Sequence, residues 1–168
     1  MKNTVIKFGL YGCTLAIVLF LLALVFGNGL SYSTQEIVGY ATMIASLSFV
    51  FFGIKHFRDH VNNGTVSFGK ALLIGVLISG MVAIGIGIAD YIYTTLINPD
   101  FAKEFLDTSI KQLETTYSGT ELQTKKAELV EQMSAYGGSG FLAFIMFVTV
   151  LIIGFILSLI STLILQRK

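Results

Sequence analysis

Four apolar runs, each about twenty residues long, constrain this chain more than any other feature. They extend from Phe8 to Phe26, from Ile37 to Ile54, from Ala71 to Ile97 and from Phe141 to Leu165. At 1.5 Å rise per residue, about 20 residues of helix cover the roughly 30 Å hydrocarbon layer of a bilayer, and inside lipid a helix satisfies its own backbone hydrogen bonds. The 168 residues are 54% hydrophobic and 12% charged, where a soluble domain carries about 25% charged residues. The expectation is an all-α membrane protein with four transmembrane helices, built as a single integral membrane domain.

Lys2 and Lys7 precede the first run as they would in a signal peptide. However, that run is about 19 residues, longer than a signal-peptide core, and no A-x-A cleavage site follows it. It reads as a retained span. Cys13 is the only cysteine, so no intramolecular disulfide can form. Leu10-Tyr11-Gly12-Cys13 fails as a lipoprotein box because most of the apolar run lies after the cysteine. A net charge of +1 with no basic block excludes a nucleic-acid partner, whose phosphates would call for a Lys/Arg-rich face.

Orientation follows from where the positive residues flank the spans. Lys2, Lys7, Lys55, Arg58, Lys70, Arg167 and Lys168 all fall on one side, which the rule places in the cytoplasm together with both termini. The first connection, Gly27-Asn28-Gly29 and Ser31 to Glu36, has no Lys or Arg and reads as a short polar turn. The third connection holds the other four lysines, Lys103, Lys111, Lys125 and Lys126, among seven acids, and is placed outside.

That third connection, residues 98–138, is too long for an unstructured loop. Asn98-Pro99-Asp100 predicts a helix start, with Asn98 as the cap and Pro99 in the first turn. Ala102, Leu106, Ile110, Leu113 and Tyr117 then recur on one face. Gly119 suits a left-handed helix end, and Thr120 with Gln123 predicts a capping box for a second helix whose stripe is Leu122, Leu129, Met133 and Tyr136. Lys103 with Asp107, Asp107 with Lys111, and Glu121 with Lys125 are spaced to pair along the solvated faces. Gly137-Gly138-Ser139-Gly140 reads as a flexible hinge, with a continuous helix into the fourth span as the alternative.

Ala71, Gly75, Ser79, Ala83 and Gly87 recur every fourth residue, a stripe that lets a neighbouring helix approach closely. Packing within the monomer is favoured over a dimer interface or a substrate path, and Gly154, Ser158 and Thr162 offer a shorter stripe of the same kind. Asp90 is the only carboxylate inside the four runs, and an ionisable group at depth suggests function. Twenty residues from Lys70 at 1.5 Å each give roughly 30 Å, so it is expected at the outer interface beside Tyr91 and Tyr93, solvated or hydrogen-bonded, with a proton or cation site as the alternative. His56 and His60 share a helix face but lack a third ligand, so no metal site is expected. Arg58 and Asp59 either anchor the turn locally, the favoured reading, or meet anionic lipid head groups. Asn63-Gly64-Thr65 matches a glycosylation sequon but reads as a turn. No nucleophile has a base partner and no phosphate loop is present, so no enzyme activity and no cofactor are expected.

Gly53-Ile54-Lys55, Arg58-Asp59, Gly64, Ser67-Phe68-Gly69-Lys70-Ala71, Gly75 and Asn98-Pro99-Asp100-Phe101 together resemble the bacterial membrane family known as domain of unknown function 4199, typically found in Bacteroidetes. The likeness covers nearly the whole chain. It implies four spans, a charged segment before the last and a bacterial inner-membrane address, and it transfers no catalytic role. The leading expectation is a non-enzymatic accessory or scaffold protein whose partners are the bilayer and either another membrane protein or a second copy of the chain. The rival is a small transporter or channel subunit using Asp90; an intramembrane enzyme would need polar groups converging at depth.

The threading predicts that, with Cys13 replaced, a Ser118→Cys variant is labelled by an impermeant maleimide from outside. Asn62→Cys is labelled only after permeabilisation. The reverse pattern would invert the orientation.

Overall fold

The structure is a computed structural model describing residues 1–26 and 32–167. Each apolar run folds as one long helix, and each helix extends past its apolar stretch. In order they are α1 (Lys2–Phe26), α2 (Tyr32–His56) continued by a π-helical turn (Phe57–Val61), α3 (Phe68–Ile92) continued by a second π turn (Tyr93–Ile97), α4 (Phe101–Thr116), α5 (Gly119–Tyr136) and α6 (Ser139–Leu165). Helices α1, α2, α3 and α6 are long and apolar enough to cross a membrane. The fold is therefore all-α with four candidate spans. Where a turn was expected from Ser31 to Glu36, α2 is already helical from Tyr32, because backbone hydrogen bonding does not stop where side chains become polar. Gly27, Asn28, Gly29 and Ser31 of that expected turn, and Lys168, lie outside the described residues.

Two compact units divide the chain: Met1–Ala89 with Met146–Lys168, and Asp90–Ile145.

In the first unit α3 is the central helix. In the apolar 18-residue stretch of each span, 56% of the α3 residues are buried, against 22%, 33% and 22% for α1, α2 and α6. Leu47, Val50, Ile54, Ile74, Ile78, Val82 and Val150 are fully buried, whereas Leu10, Val18, Leu22, Ile44, Leu73, Ile84, Ile152 and Ile160 point outward. Outward apolar faces of this length suit lipid rather than water.

Glycines set how closely the helices approach. Gly9 and Gly12 of α1 lie against Met81 and Val82 of α3, and Gly85 of α3 lies against Cys13 of α1, so these two helices run parallel. Gly53 of α2 meets Ile78 of α3. On an adjoining face Gly75 of α3 meets Ser158 of α6, and Gly154 of α6 meets Ser79 of α3. The paired numbers rise on one helix as they fall on the other, so α3 and α6 are antiparallel. The expected stripe thus packs inside the monomer over Gly75 and Ser79. Ser79 Oγ and Ser158 Oγ are 3.3 Å apart, and each hydroxyl also donates to its own helix, to Gly75 O at 2.9 Å and Gly154 O at 2.6 Å. Both hydroxyls are thereby satisfied without water.

The end of α6 is tied to the connection between α2 and α3. Asn63 (φ 52°) and Gly64 (φ 81°) occupy successive left-handed positions, as a tight Asn-Gly turn requires. The returning Val66 then exchanges two backbone hydrogen bonds with Arg167, at 2.9 and 3.0 Å. Nothing in the sequence pattern announced this one-rung antiparallel bridge.

The second unit contains the α4–α5 hairpin. Gly119 has φ +63°, the left-handed position expected for it. The helix starts differ from expectation. Asn98 does not cap α4: its amide Nδ2 donates to Glu104 Oε2 at 2.8 Å, and the helix begins two residues after Pro99, at Phe101. Thr120 is no cap either, since α5 begins at Gly119 after an extended Ser118. The three expected i,i+4 ion pairs are not among those formed by the described residues. Lys126 instead crosses the hairpin to Glu114 at 2.6 Å, and Lys125 pairs with Glu128 at 3.0 Å, which holds its exposed ammonium above the ordinary lysine range. Exposed pairs of this kind are worth little, so local spacing alone does not decide which of them form. Tyr136, expected on the α5 stripe, is exposed and stacks near Phe141 with ring centroids 4.9 Å apart. Only Gly137 and Gly138 interrupt the helices; Ser139 and Gly140 already belong to α6.

A Cβ placed on Gly75 would come within 2.7 Å of Ser158 Cβ. Gly75→Ala is therefore expected to destabilise the protein by about 1–3 kcal/mol, and adding Ser158→Gly should recover much of the loss. Thermal unfolding in detergent reads both; no recovery in the double variant would mean that the two positions do not share one contact.

Candidate functional site

Two polar groups within the spans invite a chemical reading: Asp90 near the end of α3, in the second unit, and Arg58–Asp59 in the π turn after α2, in the first.

Asp90 is buried, at 6% exposure, and its Oδ2 has no hydrogen-bond partner among the described residues. The solvated position expected for it is not where the structure puts it. Asp90 lies seven residues before the end of the helical stretch that runs to Ile97, and it faces inward. The backbone around it is unusual. The amide of Asn98 reaches Tyr93 O at 2.8 Å, one residue further back than in an α-helix. That wide turn frees Thr94 O, the acceptor an α-helix would have used. Ser139 Oγ donates to it at 3.1 Å, and Thr94 Oγ1 in turn donates to Asp90 O at 2.9 Å. Hydroxyls thus satisfy the backbone here, as Ser and Thr commonly do where a helix is interrupted in lipid. They leave the Asp90 carboxyl oxygen unmet.

Arg58 and Asp59 behave in the opposite way. Arg58 Nε and Nη2 hold the two Asp59 oxygens at 2.6 and 3.1 Å, a bidentate pair, while Arg58 Nη1 reaches Leu165 O at 3.4 Å. A guanidinium at the last carbonyls of α6 complements the negative end of that helix. The wide turn here frees Arg58 O, and Gly64 N donates to it at 2.8 Å. The pair couples the α2–α3 connection to the end of α6.

The remaining candidates are structural neighbours rather than a cluster. Gly75, Ser79 and Ala83 line α3 in the first unit and are buried, as is Gly87. In the antiparallel register set by Gly75 and Ser158, Ala71 falls opposite Thr162, whose buried Oγ1 has no partner among the described residues. His56 and His60 have ring centroids 5.1 Å apart, and no group of three metal-ligating side chains occurs among the described residues. Sequence spacing within α2 could not show that His56 also lies against Phe8 of α1, with centroids 5.2 Å apart.

A family model described as "Protein of unknown function (DUF4199)" matches residues 7–167. The chain belongs to that family. Its match runs from Lys7, in the second turn of α1, to the bridge residue Arg167, so α2, α3, the hairpin, α6 and the tie at its end lie within the family's boundaries together with all but the first turn of α1. No curated protein and no solved structure matches the chain. The DUF4199 assignment therefore names a family of unknown function, and the four apolar helices supply the membrane character.

A buried polar atom left unpaired costs about 1–3 kcal/mol. Asp90→Val should accordingly raise the thermal midpoint in detergent. A fall would mean that the carboxylate has a stabilising partner in the folded protein.

Proposed function

We propose that this DUF4199 protein is a non-enzymatic accessory or scaffold protein of the bacterial inner (cytoplasmic) membrane, with both termini cytoplasmic and the α4–α5 hairpin outside, where it contacts another membrane protein. The observation that carries this reading is the hairpin itself: α4 has 16 residues and α5 has 18, and neither contains a single buried residue. Leu106, Ile110 and Leu113 are only half covered, and Val130 is exposed. Two helices that bury this little gain little from folding alone, and a third surface against their stripes supplies the missing apolar contact. The common end shared by Lys7, Lys55, Arg58 and Arg167 supports the threading, because the positive-inside rule then acts on one face. The test is a photo-crosslinking residue at position 130 in native membranes. A discrete protein adduct is expected, and crosslinks to lipid alone would overturn the reading.

A small transporter or channel subunit is the second reading, favoured by the unpartnered buried oxygen of Asp90. It requires that Asp90→Asn abolish any ion- or proton-coupled flux in proteoliposomes; unchanged flux removes Asp90 from such a mechanism.

A further inference from the structure

At the end of the first unit where α1 begins and α2 closes, a groove of about 380 Å³ opens between these two helices. Its floor is aromatic, formed by Phe8 and Tyr11 of α1 and Phe49 and Phe52 of α2. Tyr11 and Phe52 are each 51% exposed, so the floor is open on the outward side of the helices, where the bilayer lies. The mouth is basic. Lys7 and Lys55 line it, and neither makes an ion pair among the described residues. The one acid there, Asp59, is already engaged by Arg58 through two hydrogen bonds. His56 forms part of the wall, and its Nδ1 is buried with no hydrogen-bond partner among the described residues. The groove therefore has at its mouth two lysines without an ion pair among the described residues, Lys7 lying 5.8 Å from the centre of the Phe8 ring, and in its wall a buried ring nitrogen without a partner.

We infer that this groove binds one molecule of an anionic phospholipid, with the phosphodiester between Lys7 and Lys55 and an acyl chain along the aromatic floor. Three features select that occupant. The lysines sit at the ends of the spans, at head-group level, where each basic residue attracts anionic lipid. The lining runs from Phe49 of α2 to His60 of the π turn that follows it, roughly 15 Å of helix rise, which accommodates a head group and the upper part of an acyl chain. Aromatic side chains at the membrane–water boundary present an apolar face to the chain and tolerate the polar level above it. A zwitterionic choline lipid offers the same phosphate, but its quaternary ammonium would meet the lysines.

Native mass spectrometry of the full-length protein titrated with phosphatidylglycerol and with phosphatidylcholine tests the site. Phosphatidylglycerol should be retained preferentially, and Lys7→Ala/Lys55→Ala should weaken it on the order of ten-fold. Lys2→Ala/Lys70→Ala removes the same charge from residues outside the groove and should change retention less than about two-fold. Equal losses in the two double variants would reduce the effect to general surface charge and overturn the site. Equal retention of phosphatidylcholine, or displacement of phosphatidylglycerol by inorganic phosphate, would overturn the assigned ligand. As a readout independent of charge, phosphatidylglycerol with a diazirine in its acyl chain should label the peptides carrying Tyr11, Phe49 or Phe52. Labelling confined to other peptides would refute the groove.

Discussion

The spans of this protein depend on two backbones coming close enough for Gly75 to meet Ser158 and for Gly154 to meet Ser79. Lipid tails are as apolar as leucine, so helices in a bilayer gain little from excluding them and associate through van der Waals contact instead. Contact of that kind requires small side chains in register. The antiparallel alternation of glycine against serine provides it, and the two serine hydroxyls bond back to carbonyls four residues earlier, so Ser79 and Ser158 leave no unmet polar demand at this crossing. With α6 held on one face, the other faces of α3 remain for α1 and α2, again through glycines: Gly9, Gly12 and Gly53 on the neighbours and Gly85 on α3 itself. That arrangement makes α3 the central helix.

Where α2 and α3 end, both do so in the same way. Each widens into a π turn and stops at an asparagine whose amide reaches back five residues, Asn62 to Phe57 O and Asn98 to Tyr93 O. A wide turn frees one carbonyl, and near lipid a free carbonyl is costly. Another part of the chain supplies the donor in each case: Gly64 N for Arg58 O, and Ser139 Oγ for Thr94 O. The helix ends are thereby joined to segments that follow them by a few residues in one case and by about forty in the other, which short-range sequence patterns express only in the first.

That difference explains what could be read from the sequence. The four spans were legible because apolar length alone dictates them, and the stripe over Gly75 and Ser79 was legible because its four-residue period is local to one helix. The Asn63-Gly64 turn and the left-handed Gly119 were legible for the same reason, as both are demands on φ at single residues. The helix starts at Asn98 and Thr120 were misplaced because capping side chains have competing partners; Asn98 prefers Glu104 six residues on. The bridge between Val66 and Arg167, and the meeting of Phe8 with His56, involve residues about 50 to 100 positions apart and leave no periodic trace. Asp90 fell between these cases: its distance along the helix could be counted, but the face it occupies depends on what packs around it.

The two carboxylates within the candidate spans show why those differences bear on function. Asp59 is fully accounted for by structure, since the bidentate pair with Arg58 neutralises it and Arg58 extends to the end of α6. Its charge serves a joint. Asp90 has no such account. The nearby hydroxyls of Thr94 and Ser139 are spent on backbone carbonyls. A buried carboxyl oxygen that costs stability and accepts no hydrogen bond is a feature that folding does not explain. In this protein that description fits Asp90 and does not fit Arg58 or Asp59.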